Sequence, residues 1–175
     1  MVEKESFNKK IFDLSQQYNI PYALVYRIIS SYITNCKALL VSGYTVQIFG
    51  MITVVPSEVV SDEVHTLAYQ CKQISKEQGY PYITTITLVR GYLDSIRNDL
   101  FVGRPSGIKG FIQLKPLLHS DGSVTLYGST AAALKTYLKS VRGQDFSARA
   151  FTFKFLRNQV ANQLNGGDLV DRQDA

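Results

Sequence analysis

The sequence contains an internal repeat with a period of sixty residues and no gap. Laying residues 1–60 over residues 61–120 gives eleven identities, ten of which join residues 11–56 to residues 71–116. The matched turn-forming pairs are Pro21 with Pro81, Gly43 with Gly103, Gly50 with Gly110 and Pro56 with Pro116. An unbroken offset with matched turn residues predicts a tandem duplication of one helix–turn–helix–strand unit.

Each copy of the repeat has the periodicity of two helices. Residues 6–18 place apolar side chains on one helical face after a capping Ser6, and residues 22–40 have a wider apolar stripe. In the second copy, Ser61-Asp62-Glu63 has the composition of a helix start. Residues 84–101 are rich in threonine, but their apolar positions recur with a helical period and predict a helix.

Each pair of helices is followed by a stretch that predicts a strand. Residues 44–55 alternate between apolar and other side chains, and residues 108–115 echo them. Gly50 lies inside the first stretch, where a glycine marks a bulge or a close backbone approach.

The chain changes character after the repeat. Asp121-Gly122 predicts a hairpin turn between residues 114–118 and residues 124–127. The remaining predicted elements are a helix over residues 129–142, a strand around Phe151, Phe153 and Phe155, a short helix over residues 156–164 and a polar tail. We therefore predict an α+β fold whose parts are two repeats (1–60 and 61–118), an extension (119–164) and the tail (165–175).

The composition narrows the class of protein. With 45% hydrophobic residues the 175-residue chain can bury a sizeable core, and no apolar run approaches the ~18 residues of a membrane span. The charged N-terminal residues are unlike a secretory signal. Cys36 and Cys71 fall at apolar positions of helical patterns, which predicts buried free thiols.

No motif predicts catalysis, a cofactor or a metal site, so we expect a non-enzymatic protein. His65 and His119 lack metal-ligand spacing, and the sequence contains no G-x-S-x-G, Walker or C-x-x-C motif. Residues 103–107 are glycine-rich and basic, but they follow a predicted helix. A phosphate cradle needs the N–H groups of a helix start, so we interpret this segment as a connecting turn.

The net charge of +5 permits an acidic partner such as nucleic acid. Basic and aromatic side chains alternate over residues 149–157, a pattern that stacks bases and neutralises phosphates in some proteins. We favour a strand whose phenylalanines face a core or a subunit contact. The candidate contacts to nucleic acid are Arg104, Lys109, Lys115, Arg149, Lys154 and Arg157.

The repeated unit resembles the start of the bacterial histone-like HU and integration host factor family. The resemblance lies in Lys10–Leu14, in Gly43–Ile52 with its Phe49-Gly50 step, and in Lys109-Gly110-Phe111. Members of that family intertwine two such units, so the tandem copy resembles a dimer built into one chain. The family bends DNA with long β-arms tipped by Arg-Asn-Pro.

The chain departs from that family where the arms would be. Pro56 is followed within about five residues by the next predicted helix start, and Arg104-Pro105 lacks the asparagine and precedes its strand. We therefore do not expect DNA bending by an intercalated proline.

As an armless tandem version of this fold, the chain resembles virion structural proteins of tailed phages, notably the ring proteins in the tails of crAss-like phages. That resemblance implies a virion structural subunit made in the host cytoplasm, whose partners are copies of itself in a ring and neighbouring virion proteins, without a membrane. The alternative is an architectural protein that binds double-stranded DNA through the six basic residues. A regulatory interaction module is a third interpretation.

Overall fold

The structure, a computed structural model, describes residues 6–48, 52–61, 63, 65–152 and 155–156. The first unit consists of α1 (Phe7–Tyr18), α2 (Tyr22–Val41), β1 (Val46–Ile48) and β2 (Ile52–Pro56). The second consists of α3 (Leu67–Gln78), α4 (Tyr82–Phe101), β3 (Ser106–Ile108), β4 (Ile112–Leu118) and β5 (Ser123–Thr130). Each of the first four elements in the second unit starts sixty residues after its counterpart. The predicted α+β fold with two similar helix–helix–sheet units is therefore confirmed.

The polar contacts at the helix ends repeat as well. Ser6 and Thr66 each accept a hydrogen bond from the backbone N–H three residues later, at 3.1 Å in both units. The hydroxyl of Ser15 donates to the carbonyl of Ile20, and that of Ser75 donates to the carbonyl of Tyr80. The same cap and the same turn therefore position both helix pairs.

The predicted start of the second unit's first helix was wrong. Thr66 caps α3, and Ser61 instead accepts a hydrogen bond from the N–H of Glu63 at 3.1 Å. A serine hydroxyl that bonds two residues ahead stabilises a local turn, which competes with helix formation. The composition of Ser61-Asp62-Glu63 does not distinguish these two uses of the hydroxyl.

Each predicted single strand is an antiparallel hairpin instead. Ile48 of β1 lies opposite Ile52 of β2, and Ile108 of β3 lies opposite Ile112 of β4. Opposed residues in an antiparallel pair face the same side, and here they are an even number of positions apart. The alternation therefore continues across the turn as though the strand were unbroken. Gly50, predicted to mark a bulge, lies outside the described residues.

The segment after the repeat joins the two sheets. The predicted hairpin is confirmed as β4 and β5, and α5 (Ala132–Arg142) begins later than predicted because β5 extends to Thr130. Strand β6 (Ala148–Thr152) pairs with β2, whereas β7 (Phe155–Leu156) pairs with β5. The orders are therefore β1-β2-β6 in one sheet and β3-β4-β5-β7 in the other. The helix and tail predicted beyond residue 156 lie outside the described residues.

The two units share one core because their helices intertwine. Helix α1 packs on α4 of the other unit, and α3 packs on α2. Tyr32 and Tyr92, at equivalent positions of the two long helices, are both fully buried. The N-terminal half of α4 approaches α1 closely, because a Cβ added at Gly91 would lie 2.7 Å from Cδ2 of Leu14. The units are thus packed as a pseudo-dimer within one chain.

Candidate interaction surface on the sheets

Each of the two sheets has an accessible side that faces away from the core, and we call these two outward sides together the outer sheet face. Inward-pointing residues of β2 and β4, such as Val54 and Leu114, are buried in the core. The alternate positions point outward, and among the described residues they are Gln47, Thr53, Val55, Gln113, Lys115, Leu117, Thr125, Tyr127, Ser129, Arg149 and Phe151. None of these is an aspartate or a glutamate.

Large apolar side chains are exposed on the outer sheet face. Tyr127 is 58% exposed, Leu117 is 47% exposed and Phe151 is 43% exposed. Phe151 is therefore not a core residue. Strand β6 turns Ala148 and Ala150 towards the core instead. Of the two environments predicted for this phenylalanine, a core or a subunit contact, the core is therefore excluded for Phe151 and the subunit contact stays a prediction. Phe153 lies outside the described residues.

The outer sheet face also carries two of the predicted basic residues. Lys115 lies directly opposite Tyr127 in the register of β4 and β5. The guanidinium of Arg149 lies 5.1 Å from the ring centre of Phe151, within the range of a cation–π contact. Arg149 thus contacts an aromatic ring, and Lys115 has an aromatic residue as its cross-strand neighbour.

Two of the other four basic candidates make contacts elsewhere in the structure. Arg104 donates to a carboxylate oxygen of Asp99 at 3.0 Å, and the ammonium of Lys109 lies 4.8 Å from the ring centre of Phe7 on α1. Lys154 and Arg157 lie outside the described residues. Of the six candidates, Lys115 points outward from the sheet of β4 and β5, and Arg149 points outward from the sheet of β2 and β6.

A socket of about 310 Å³ opens in the outer sheet face where β3, β4 and β5 lie side by side. Its lining includes Pro105, Leu114 and Tyr127, with Lys115 and Ser129 also contributing polar atoms. Sequence reasoning missed the socket, because it depends on the β4–β5 register. The one feature of the sequence that points to the socket is the alternation of the predicted strand, which turns Tyr127 outward.

A buried polar cluster surrounds Asp99 on α4. One carboxylate oxygen accepts from the ammonium of Lys10 on α1 at 2.6 Å and from the hydroxyl of Ser106 at 3.0 Å. Arg104 donates to the other oxygen. Because Lys10 is 4% exposed and its partner lies in the other unit, this ion pair is a structural link between the repeats.

The histidines and cysteines occupy separate environments. The ring of His65 packs between Tyr44 and Tyr69, and Nε2 of His119 lies 2.7 Å from the hydroxyl of Thr125. Cys36 and Cys71 are buried free thiols, as predicted. Burial raises the pKa of the Cys36 thiol to about 12 and that of the Cys71 thiol to about 11, so both are protonated at neutral pH.

Neither a metal-binding cluster nor a membrane-spanning helix occurs among the described residues. No group of three or more His, Cys, Asp or Glu side chains in this part of the chain is arranged to hold a metal ion. No helix in the same residues is long and apolar enough to cross a membrane. Comparison of the sequence with protein-family models and with curated proteins finds no match.

Proposed function

We propose that the protein is a non-enzymatic virion structural protein, a subunit of a ring in a phage tail or head-to-tail assembly. The observation that carries the proposal is the outer sheet face, where Leu117, Tyr127 and Phe151 are exposed. Exposed aromatic and apolar side chains on one face are typical of protein–protein contacts. The likeness of the tandem unit to HU-like ring proteins supplies the proposed setting.

The charges of the outer sheet face favour a heterologous contact, in which this face meets a different surface of the next copy. Lys115 and Arg149 lie on this face, and no acidic side chain accompanies them among its described residues. Two copies that met through the same face would bring like charges together. A contact between this face and a different surface of the next copy avoids that repulsion and closes into a ring when the rotation permits.

The test is the mass of the protein in solution, measured by analytical ultracentrifugation, with electron microscopy of the assembled particles. We expect the wild type to form closed rings and the double variant Tyr127→Ser/Phe151→Ser to be monomeric. Ile83→Ser is the matched control, because Ile83 is 71% exposed but lies on α4, away from the outer sheet face. A monomeric wild type, or a ring that the double variant leaves intact, would contradict the proposal.

The alternative is an architectural DNA-binding protein, and the outward positions of Lys115 and Arg149, each beside an aromatic residue, favour it. Each neutralised phosphate contributes a slope of about 0.9 in log affinity against log salt. Two phosphate contacts would therefore weaken binding only roughly tenfold between about 50 and 200 mM salt, against roughly 10³–10⁵ for six to ten contacts. The described face thus supports weak DNA binding, which is why we rank assembly first.

Fluorescence anisotropy with duplex DNA separates the two functions. Under the assembly function, binding is feeble at physiological salt, and Lys115→Gln/Arg149→Gln removes what remains. Tight binding whose log affinity falls with log salt at a slope corresponding to six or more phosphates would contradict the assembly function and support the architectural one.

A further inference from the structure

The socket in the outer sheet face is suited to an apolar group. At about 310 Å³ it lies at the lower end of the roughly 300–1,000 Å³ that ligand pockets occupy. Pro105 and Tyr127 supply the accessible apolar lining atoms, because Leu114, which also lines the socket, is only 3% exposed. The outward-pointing Gln113 and Ser129 also line it. One or two aliphatic side chains of a partner would fit these walls.

The charges around the socket favour a partner that carries acidic side chains next to its apolar group. Lys115 lines the socket, and Arg149 is exposed on β6, which packs beside β5. The described residues of the outer sheet face include no carboxylate that would neutralise these cations. Charge complementarity therefore favours an occupant in which carboxylates flank a short apolar stretch.

The chain itself contains a segment with this pattern. Asp168-Leu169-Val170-Asp171 places two aliphatic residues between two carboxylates, and the surrounding residues 165–175 carry three aspartates against one arginine. Asp168 follows Leu156, the end of β7, by twelve positions. Twelve residues span at most roughly 40 Å, which is long enough to reach beyond the sheet that β7 joins.

We propose that residues 168–171 of one copy occupy the socket of the next copy in the ring. Leu169 and Val170 enter the socket, while Asp168 and Asp171 pair with Lys115 and Arg149. Donor segment and acceptor socket are different surfaces, so every copy gives one and receives one, as a heterologous ring requires. This inference rests on the proposed function and identifies the contact that closes the ring.

Charge reversal tests the pairing. The double variant Asp168→Lys/Asp171→Lys reverses the charge of the segment, and Lys115→Glu/Arg149→Glu reverses the charge around the socket. We expect each double variant to weaken association at least about tenfold at about 0.1 M salt, and the fourfold variant to recover it. Leu169→Ser tests the apolar part and should weaken association at about 1 M salt as well, where charge pairs are screened. Circular dichroism and thermal melting check that each variant remains folded.

Mixing the two double variants distinguishes docking on a neighbour from docking on the same chain. Each variant alone presents like charges to itself, but in a mixture each segment meets an oppositely charged socket on the other variant. Docking between copies therefore restores the mass of the ring in the mixture, as an alternating assembly. A mixture that stays monomeric would mean docking within one chain and would overturn the inference.

The remaining outcomes separate the inference from the function on which it rests. A monomeric wild type overturns both. A wild-type ring that Asp168→Lys/Asp171→Lys leaves unchanged overturns the inference alone and assigns the socket to another occupant, such as an acidic partner protein or duplex DNA. A ring lost in both double variants and restored in their mixture supports both.

Discussion

At the scale of single residues, the ion pair between Lys10 and Asp99 makes the clearest prediction about stability. Both side chains are nearly inaccessible, at 4% and 6% exposure. Replacing one partner of a buried pair leaves the other charge uncompensated, which costs about 3–5 kcal/mol. We expect Asp99→Leu to lower the free energy of unfolding by that amount, measured by urea denaturation.

The other repeat provides the control for this substitution. Gln70 occupies the position equivalent to Lys10, and Leu39 occupies that of Asp99; both are buried. The double variant Lys10→Gln/Asp99→Leu therefore copies a neutral arrangement that this fold already contains. We expect it to lose less than half as much stability as Asp99→Leu alone. Equal losses would mean that the charge of Lys10 is not the cause.

The two buried thiols predict a loss of stability at high pH. Their pKa values in the folded protein, about 12 for Cys36 and 11 for Cys71, lie above the value of about 8.5 for an unfolded cysteine. Unfolding therefore releases protons once the pH passes about 8.5, and the stability that these thiols contribute below that pH is lost as the pH rises. By pH 10 the loss is about 2 kcal/mol per thiol.

Urea denaturation at pH 8 and pH 10 measures this loss. The control Cys36→Ala/Cys71→Ala is less stable at both pH values, because it leaves cavities, but its stability should change much less between them. A control that loses as much as the wild type over that interval would contradict the thiol linkage.

At the scale of elements, strands β6 and β7 each add an edge strand to one of the two sheets. Strand β6 pairs with β2 and β7 pairs with β5, so their removal would expose the edges of two strands. Unpaired edges are templates for aggregation. We expect a chain that ends at Ser147 to be less stable and to aggregate, measured by urea denaturation and light scattering. A chain that ends at Arg157 keeps both strands and should remain soluble; similar behaviour of the two truncations would contradict this role.

The same elements show what the sequence could predict. The four long helices followed from apolar periodicity and from the matched turns, because both signals are local. The hairpins did not, since the even spacing of Ile48 and Ile52 hides a reversal within a continuous alternation. The outer sheet face was beyond reach for another reason: pairing Thr53 with Phe151 joins residues almost a hundred positions apart, and the sequence pattern contains no sign of it.

At the scale of the whole molecule, the two repeats depend on each other. The ammonium of Lys10 crosses from α1 to Asp99 on α4, and the thiol of Cys36 on α2 donates to the side-chain oxygen of Gln70 on α3 at 3.6 Å. Tyr92 of the second unit forms an edge-on ring contact with Phe7 of the first. Because these contacts join the units, neither unit buries its own helices alone.

This dependence predicts the behaviour of the chain when it is divided after Ser61. Residues 1–61 alone cannot repeat the native pairing with a second copy, because Lys10 would then face Leu39 and would lose the buried carboxylate of Asp99 on each side. We expect residues 1–61 and residues 62–175 to lack a cooperative thermal transition separately and to regain it when mixed in equal amounts, followed by far-ultraviolet circular dichroism. A cooperative transition of residues 1–61 alone would show that one repeat supplies its own core, and Lys10→Gln in that fragment should then change its stability little.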